Sequence, residues 1–323
     1  MSLCLVEAAK RSGDTYQPGV VELLVKNDPL LQKLGVTEIV GNGLTYWVET
    51  TMAGAQFYAP GDLMVESGST QTKYTAGITI LGGDVEIDKF LQKTRSNIND
   101  IENEEIQAKI KAIKYAFLQN LIYGYVTGNA KSFDGLHYLL RSRTYNTLAI
   151  GANATPAALS LSQHVLAAKN MIKGYTPGMI LCSKGLSQSI YRFLMGVGGL
   201  TPADVQAGEL TSLVNLPLYV TDFIGDNESC DLDYGSSHYG YNYADGVSGV
   251  DDDGSTSMFI LSFDPKSIQV VQNGSLAVNK VTDNMETKNA RLWRALWYCS
   301  VMMQSVISCS KITGIDVDGT VVV

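Results

Sequence analysis

The chain of 323 residues carries a formal net charge of −8, with 17% charged and 45% hydrophobic residues. That acidity argues against binding nucleic acid by phosphate neutralisation, which needs clustered lysine and arginine to release counterions, and leaves only passive contact with DNA. The length predicts a large core or two lobes rather than one compact helical domain, and the low charge predicts a surface partly covered by neighbours.

Cys4, Cys182, Cys230, Cys299 and Cys309 are scattered, with no C-x-x-C pair and no histidine at metal-ligand spacing, so they read as free thiols of a reducing cytoplasm. Neither a secretory leader nor a run of about 18 uncharged apolar residues is found, which predicts a soluble chain with no membrane partner. The N-x-[ST] matches at Asn153, Asn227 and Asn273 are then chance.

Residues 1–40 read as an extended arm with one short helix, Pro18 suiting its first turn and Pro29 breaking the apolar run "VVELLVKNDPLLQKL". An arm of this kind cannot bury itself alone. Over residues 41–83 the pattern becomes "LTYWVETT" and "TQTKYTAGITIL" around a Gly-, Pro- and Ser-rich middle, an outsized hairpin whose long tip suits contact with a partner. Gly82 and Gly83 in "LGGDVEID" predict a change of direction, a hinge at the hairpin's root, with an ordinary turn as the alternative.

From about Ser96 to Tyr123, Ile98, Ile101, Ile106, Ile110, Ile113, Phe117 and Leu121 recur mostly at three- and four-residue steps. They predict one long helix whose core face includes Ile106, Ile110, Ile113, Phe117 and Leu121. Asn99 with Glu102 makes a capping pair at its start. "GYVTGNAKSFDGLHYLL" follows, where Gly124 and Gly128 suit helix termination and chain reversal, while Gly135 suits a close approach that lets Phe133 and Leu136 tuck back onto the helix.

"ALSLSQHVLAAKNMIKG" reads as a helix, "PGMILCS" as a buried strand, "KGLSQSIYRFLMG" as a helix and "LPLYVTDFI" as a strand, which together describe an α/β lobe. Between Gly225 and Ser257 lies a Gly-, Tyr- and Asp-rich run with almost no aliphatic content, read as a surface excursion. "SMFILSF" resumes the strands. "ARLWRALWYCSVMMQSVIS" fits helix and strand periods about equally, and Arg291 and Arg294 at its head with the polar tail favour a long strand pair.

No chemistry emerges from motifs. "GNG" at Gly41 and "GVGGL" at Gly196 match no phosphate loop, and the glycines after the long helix lie at the wrong end of its dipole for an anion. His137, His164 and His238 are the imidazoles available as bases, no G-x-S-x-G elbow exists, and His137 reads as a hydrogen-bonded structural histidine. "VDDDGS" fails the calcium-loop pattern at Gly249 and at Ile260, leaving a solvated acidic tip. Glu102, Glu104 and Glu105 sit where the helix dipole favours acids anyway.

The order of elements resembles the major capsid protein of tailed bacteriophages, the Hong Kong phage capsid fold shared with encapsulins. "TGNAKSFDGLHYLL", "GGDVEIDKFLQKTR", "PGMILCSKGLSQSIYRFLMG" with "SLVNLPLYVTDFI", and "ETKNARLWRALWYCSVMM" carry the resemblance, which extends from about Leu34 to Gly314. It implies an α+β fold with an N-terminal arm at 1–40, an extended hairpin loop at 41–83, and a peripheral domain with a spine helix at 84–150 and 264–323. An axial domain at 151–263 would carry a surface insertion near 226–257.

The resemblance further implies a structural protein, not an enzyme, that needs no cofactor and assembles with itself as pentamers and hexamers into an icosahedral head around double-stranded DNA. A scaffolding protein and a portal would be partners, a decoration protein a further one, and the virion its location after assembly in the host bacterial cytoplasm. Some relatives crosslink a loop lysine to a neighbour's asparagine; Lys73 stands in the loop, but no motif supports a crosslink and none is expected. An encapsulin-type compartment is the alternative, and a hydrolase or metal enzyme in the α/β lobe a distant one.

Overall fold

The computed structural model describes residues 3–4, 29–90, 101–127, 129–141, 146–151, 155–197, 205–206, 209–228, 254–282, 288–305, 307–317 and 321–322. Two six-stranded sheets organise them.

The first sheet is built on β15 (Ala290–Met303), a single 14-residue strand rather than the expected strand pair. One edge of β15 takes β5 (Thr79–Asp88) antiparallel over Ala290–Cys299. Its other edge takes β14 (Ala277–Thr282) and then β13 (Ile268–Gln272), both antiparallel. β2 (Gly35–Glu38) adds parallel to β13, and β1 (Leu3–Cys4) closes the edge against β2. Cys299–Met303 is buried on both faces, which erases alternation there, while from Arg294 to Tyr298 the strand alternates between more exposed and buried residues.

Helix α1 (Pro29–Lys33) precedes β2. Pro29 opens this helix instead of breaking one, because the first helical position has no intrahelical use for an N–H. Leu30, Leu31, Leu34 and Val36 are buried in the chain's own core, so the last part of the expected 1–40 arm belongs to the first sheet's layer. Pro18, Ile98 and Asn99 lie outside the described residues.

The spine helix α2 (Ile101–Tyr123) packs on β5 and β15. Ile106, Ile110, Ile113, Phe117 and Leu121 all face the core at 6% exposure or less. Phe117 meets Trp297 of β15 at 4.7 Å between ring centroids and Phe133 at 5.5 Å. Burying a side chain of this size contributes roughly 1.5–3 kcal/mol, so this stripe holds the helix to the sheet. Helix α3 (Leu136–Arg141) follows the glycine turn.

The second sheet runs β10 (Ser212–Leu213), β11 (Leu216–Val220), β7 (Pro177–Cys182), β12 (Ser255–Ser262), β16 (Ser310–Asp316) and β6 (Thr147–Ala149). β6 and β16 were expected in the peripheral domain, yet β16 pairs with β12 and β6 pairs with β16. The C-terminal chain thus joins the second sheet, on the edge of β12 that β7 leaves open. A π turn (Leu161–Val165) runs into α4 (Leu166–Met171), and α5 (Lys184–Val197) follows β7. β8 (Val205–Gln206) and β9 (Glu209–Leu210) form a small separate ribbon.

Gly82 and Gly83 do not turn the chain: both lie inside β5, paired with Leu296 and Ala295. A Cβ on Gly82 would meet the Ala295 carbonyl oxygen at 2.3 Å, so close approach to β15 explains the glycine. The excursion expected near 226–257 likewise begins and ends in the core, with Glu228 2% exposed and Ser255, Thr256 and Ser257 fully buried. Residues 229–253 lie outside the described part.

Candidate assembly surface

The hairpin of β3 (Gly43–Thr51) and β4 (Thr70–Gly77) pairs from Gly43↔Gly77 to Thr51↔Thr70. Period-two alternation gives it two faces. On one, Leu44 and Tyr46 pack with Ile39 on the small cluster of Ala76, Val271 and Met302, and Tyr46 stacks on Tyr74. On the other, Trp47 is exposed opposite Lys73.

Beyond the strands, residues 52–69 form a tip that touches little of its own chain and is ordered from within. Asp62 receives the Ala59 amide through its carboxylate and gives its own amide to the Ala59 carbonyl. The Val65 amide donates to the Tyr58 hydroxyl at 3.0 Å, and the Ser67 hydroxyl donates to the Gly54 carbonyl at 2.6 Å. Thr70 Oγ1 donates to Thr51 Oγ1 at 2.8 Å where the strands begin.

That framework displays Met52, Phe57, Leu63, Met64 and Val65 to solvent, with Phe57 107% and Leu63 91% exposed. Large apolar side chains exposed to this degree on one tip are suited to contact with another molecule. The tip's charged residues are Asp62 and Glu66, both acidic. A groove of about 610 Å³ between the spine helix and the end of β11 carries mixed charge, with Lys111 and Lys114 beside Glu104 and Asp222, and with Tyr115 and Phe223 in its lining. Tyr115 and Phe223 pack there at 5.6 Å, and Lys111 Nζ lies 5.5 Å from the Tyr115 ring.

Among the residues singled out from the sequence, Gly135 crosses the end of the spine helix, where its amide donates to the Gly124 carbonyl at 2.8 Å. Gly128 lies outside the described residues. Gly82 and Gly83 lie within β5, which follows the hairpin, and the five spine-helix residues line the core against β5 and β15 rather than the exposed surface.

A buried polar cluster that sequence reasoning missed joins the spine helix to both ends of the excursion. The Tyr123 hydroxyl donates to Glu228 Oε1 at 2.5 Å and accepts from the Gly225 amide at 2.8 Å. Ser257 donates to Glu228 Oε2, Ser255 donates to the Glu228 carbonyl, and the Glu228 amide donates to the Ser255 carbonyl. A lone glutamate in "GDNESC" gave no signal, because its partners are far away in sequence.

His137 is fully buried, stacked on Tyr123 at 5.1 Å and edge-on to Phe259 at 4.8 Å. Its Nε2 lies 3.4 Å from Glu228 Oε1, yet neither ring nitrogen has an aligned hydrogen-bond partner. The expected structural histidine is thus packed between aromatic rings with Glu228 as its polar neighbour. Burial holds the imidazole below its ordinary value against the attraction of Glu228, and the Lys311 ammonium, which donates to the His137 carbonyl, adds to the lowering.

His164 accepts from the Ser160 amide at 3.0 Å inside the π turn, and His238 lies outside the described residues. Burial pushes the Cys182 thiol up to about 12 and raises Cys299 and Cys309 as well, which makes all three poor nucleophiles. Among the described residues no three His, Cys, Asp or Glu side chains gather as a metal-ligand set.

No protein-family model matches the chain. No curated protein matches it in sequence. Solved structures do. The holo-SrpI encapsulin complex from Synechococcus elongatus PCC 7942 superposes with a TM-score of 0.60 at 14% identity, covering 90% of this chain and 89% of that one. The capsid of a native GTA particle gives 0.59 at 12% identity, covering 91% and 90%. Mycobacterium phage Ogopogo gives 0.56 at 12% identity, covering 88% and 91%. The chain has the Hong Kong phage capsid fold that these shell subunits share.

Proposed function

We propose that the chain is a structural shell subunit, not an enzyme, which assembles with itself as pentamers and hexamers into the icosahedral head of a tailed bacteriophage. The observation that carries this reading is the hairpin tip, ordered by its own hydrogen bonds yet holding Phe57 and Leu63 in solvent on a capsid fold. Exposed apolar area of this kind gains its free energy only on association, and a loop already ordered loses less entropy when it docks. The exposed apolar side chains of the tip and the aromatic lining of the mixed-charge groove beside the spine helix suit contact between copies.

The head would enclose double-stranded DNA without reading it, consistent with a net charge of −8. Scaffolding and portal proteins are the partners this reading calls for, with a decoration protein as a further one, and the virion is the destination after assembly in the host cytoplasm. No cofactor or membrane enters the scheme.

An encapsulin-type compartment is the second reading, favoured by the similarity to the holo-SrpI encapsulin complex. One experiment addresses both. The chain, produced alone and with a scaffolding protein, is examined by negative-stain electron microscopy, and purified particles are assayed for nuclease-protected DNA and for protein cargo. Closed particles holding DNA support the head, and closed particles holding an enzyme favour the compartment. A monodisperse monomer under every assembly condition sinks both.

A further inference from the structure

A second groove, of about 480 Å³, opens between the root of the hairpin, the turn after the spine helix and β15. Tyr46 and Tyr74 form one wall, and Tyr138 and Asp134 stand on the other. The rings occur in pairs: Tyr46 with Tyr74 at 6.1 Å, and Tyr138 with Tyr125 at 5.2 Å.

Its electrostatics are one-sided. No lining residue is basic. The half-buried Asp134 carboxylate receives one backbone hydrogen bond, from the Val126 amide at 3.0 Å, and burial still raises it above the usual carboxylate range. The Tyr138 phenol is raised by burial and then by the nearness of Asp134, Tyr125 and Tyr74, so one carboxyl group and three phenols gather at one spot. Aromatic faces beside a partly desolvated carboxylate are the chemistry that holds an ammonium or guanidinium group.

We propose that this groove receives a lysine side chain from a second copy of the chain. The inference rests on the self-assembly reading, since the hairpin whose tip is exposed for a neighbour also forms one wall, placing the groove at the base of the same interface. Lysine is favoured over arginine because only seven of the 24 basic residues are arginines. Two of those, Arg291 and Arg294, already pair with Glu102 and Asp84.

The test uses particles assembled from an equal mixture of ¹⁴N- and ¹⁵N-labelled full-length subunits, treated with a carbodiimide that joins carboxylates to amines and mapped by mass spectrometry. The expected product is an Asp134–lysine amide in which about half the pairs carry mixed labels. Same-label pairs alone, a link to a different protein, or an unmodified Asp134 would overturn the proposal. In parallel, Asp134→Asn keeps the acceptor for Val126, and should raise the concentration needed for assembly about tenfold and flatten its dependence on salt.

Assembly of the Asp134→Asn chain at the wild-type concentration and salt dependence would also overturn it. Should that variant fail to fold, Tyr138→Phe and the wild-type crosslink decide instead. Failure of the wild-type chain to form particles would remove the shell reading and this inference together, whereas particles indifferent to Asp134 remove only the inference.

Discussion

Gly124 and Gly135 cross in backbone contact: a Cβ on Gly135 would lie 2.6 Å from the Gly124 nitrogen and 2.6 Å from the Asn120 carbonyl oxygen. The contact lets Phe133 and Leu136 reach the core beneath the last turn of the spine helix. Neither backbone can give way without losing helix hydrogen bonds. Gly135→Val should therefore cost about 3 kcal/mol or more and leave little folded subunit, as read by urea unfolding and yield of folded protein. Gly77→Ala, where an added Cβ meets nothing within 4 Å, should unfold like the parent chain.

Tyr123 and Glu228 make the next prediction. Removing the phenol in Tyr123→Phe leaves the Glu228 carboxylate and the Gly225 amide each short of a partner away from water. A lost hydrogen bond to a buried charge costs about 1.5–3 kcal/mol, so the unfolding midpoint should fall accordingly. An unchanged midpoint would mean that water already reaches Glu228.

His137 sets a pH dependence whose sign follows from its surroundings. Its pKa is lowered from 6.5 by burial, so the unfolded chain binds this proton more readily than the folded one. The group is neutral and harmless above the unfolded value, and stability is lost as pH falls below about 6.5 towards the folded value. The slope from this one site is at most about 1.4 kcal/mol per pH unit. Urea unfolding of wild type and His137→Phe between neutral and mildly acidic pH should show the difference narrowing in favour of the variant as pH drops. Parallel curves would exclude the effect.

These three sites show what the sequence made legible. The spine helix could be read because Ile106, Ile110, Ile113, Phe117 and Leu121 keep helical period against a single sheet face, and the crossing at Gly135 could be read from its place after a helix end. Gly82 and Gly83 were misread because paired glycines look the same whether they bend a chain or let two strands approach. β16 was misplaced because nothing local says which sheet a returning strand joins. Glu228 was invisible because its hydroxyl partners sit 105 and 29 residues away. The hairpin tip was legible as a loop, but its exposed apolar display depends on which residues the Ala59–Asp62 turn points outward.

At the head of the spine helix, Glu102 accepts from Arg291 at 2.8 Å and from the Trp293 indole at 2.5 Å, and is 15% exposed. Across β5 and β15, Asp84 pairs with Arg294 at 2.7 and 2.8 Å, but both side chains are more than 40% exposed. Solvent screens the second pair more than the first. Glu102→Ala should lower stability by about 1.5–3 kcal/mol, while Asp84→Asn should leave the thermal midpoint unmoved. Equal losses from both would show that exposure does not rank these pairs.

The shell reading makes its sharpest demand on the hairpin tip. Phe57 and Leu63 bury nothing within the subunit, so Phe57→Asp and Leu63→Asp should change subunit stability by less than about 0.5 kcal/mol. In an assembled shell the same changes would place a carboxylate in a desolvated contact, beside the acids Asp62 and Glu66 already there. Repulsion and desolvation then act together at every copy of the interface, and particles should disappear while the subunit stays folded. Size-exclusion chromatography with light scattering on purified variants reads both quantities at once. Particles of normal size and yield from the double variant would show that the tip is a bystander and move the search for the contact to the outer face bearing Trp47 and Lys73.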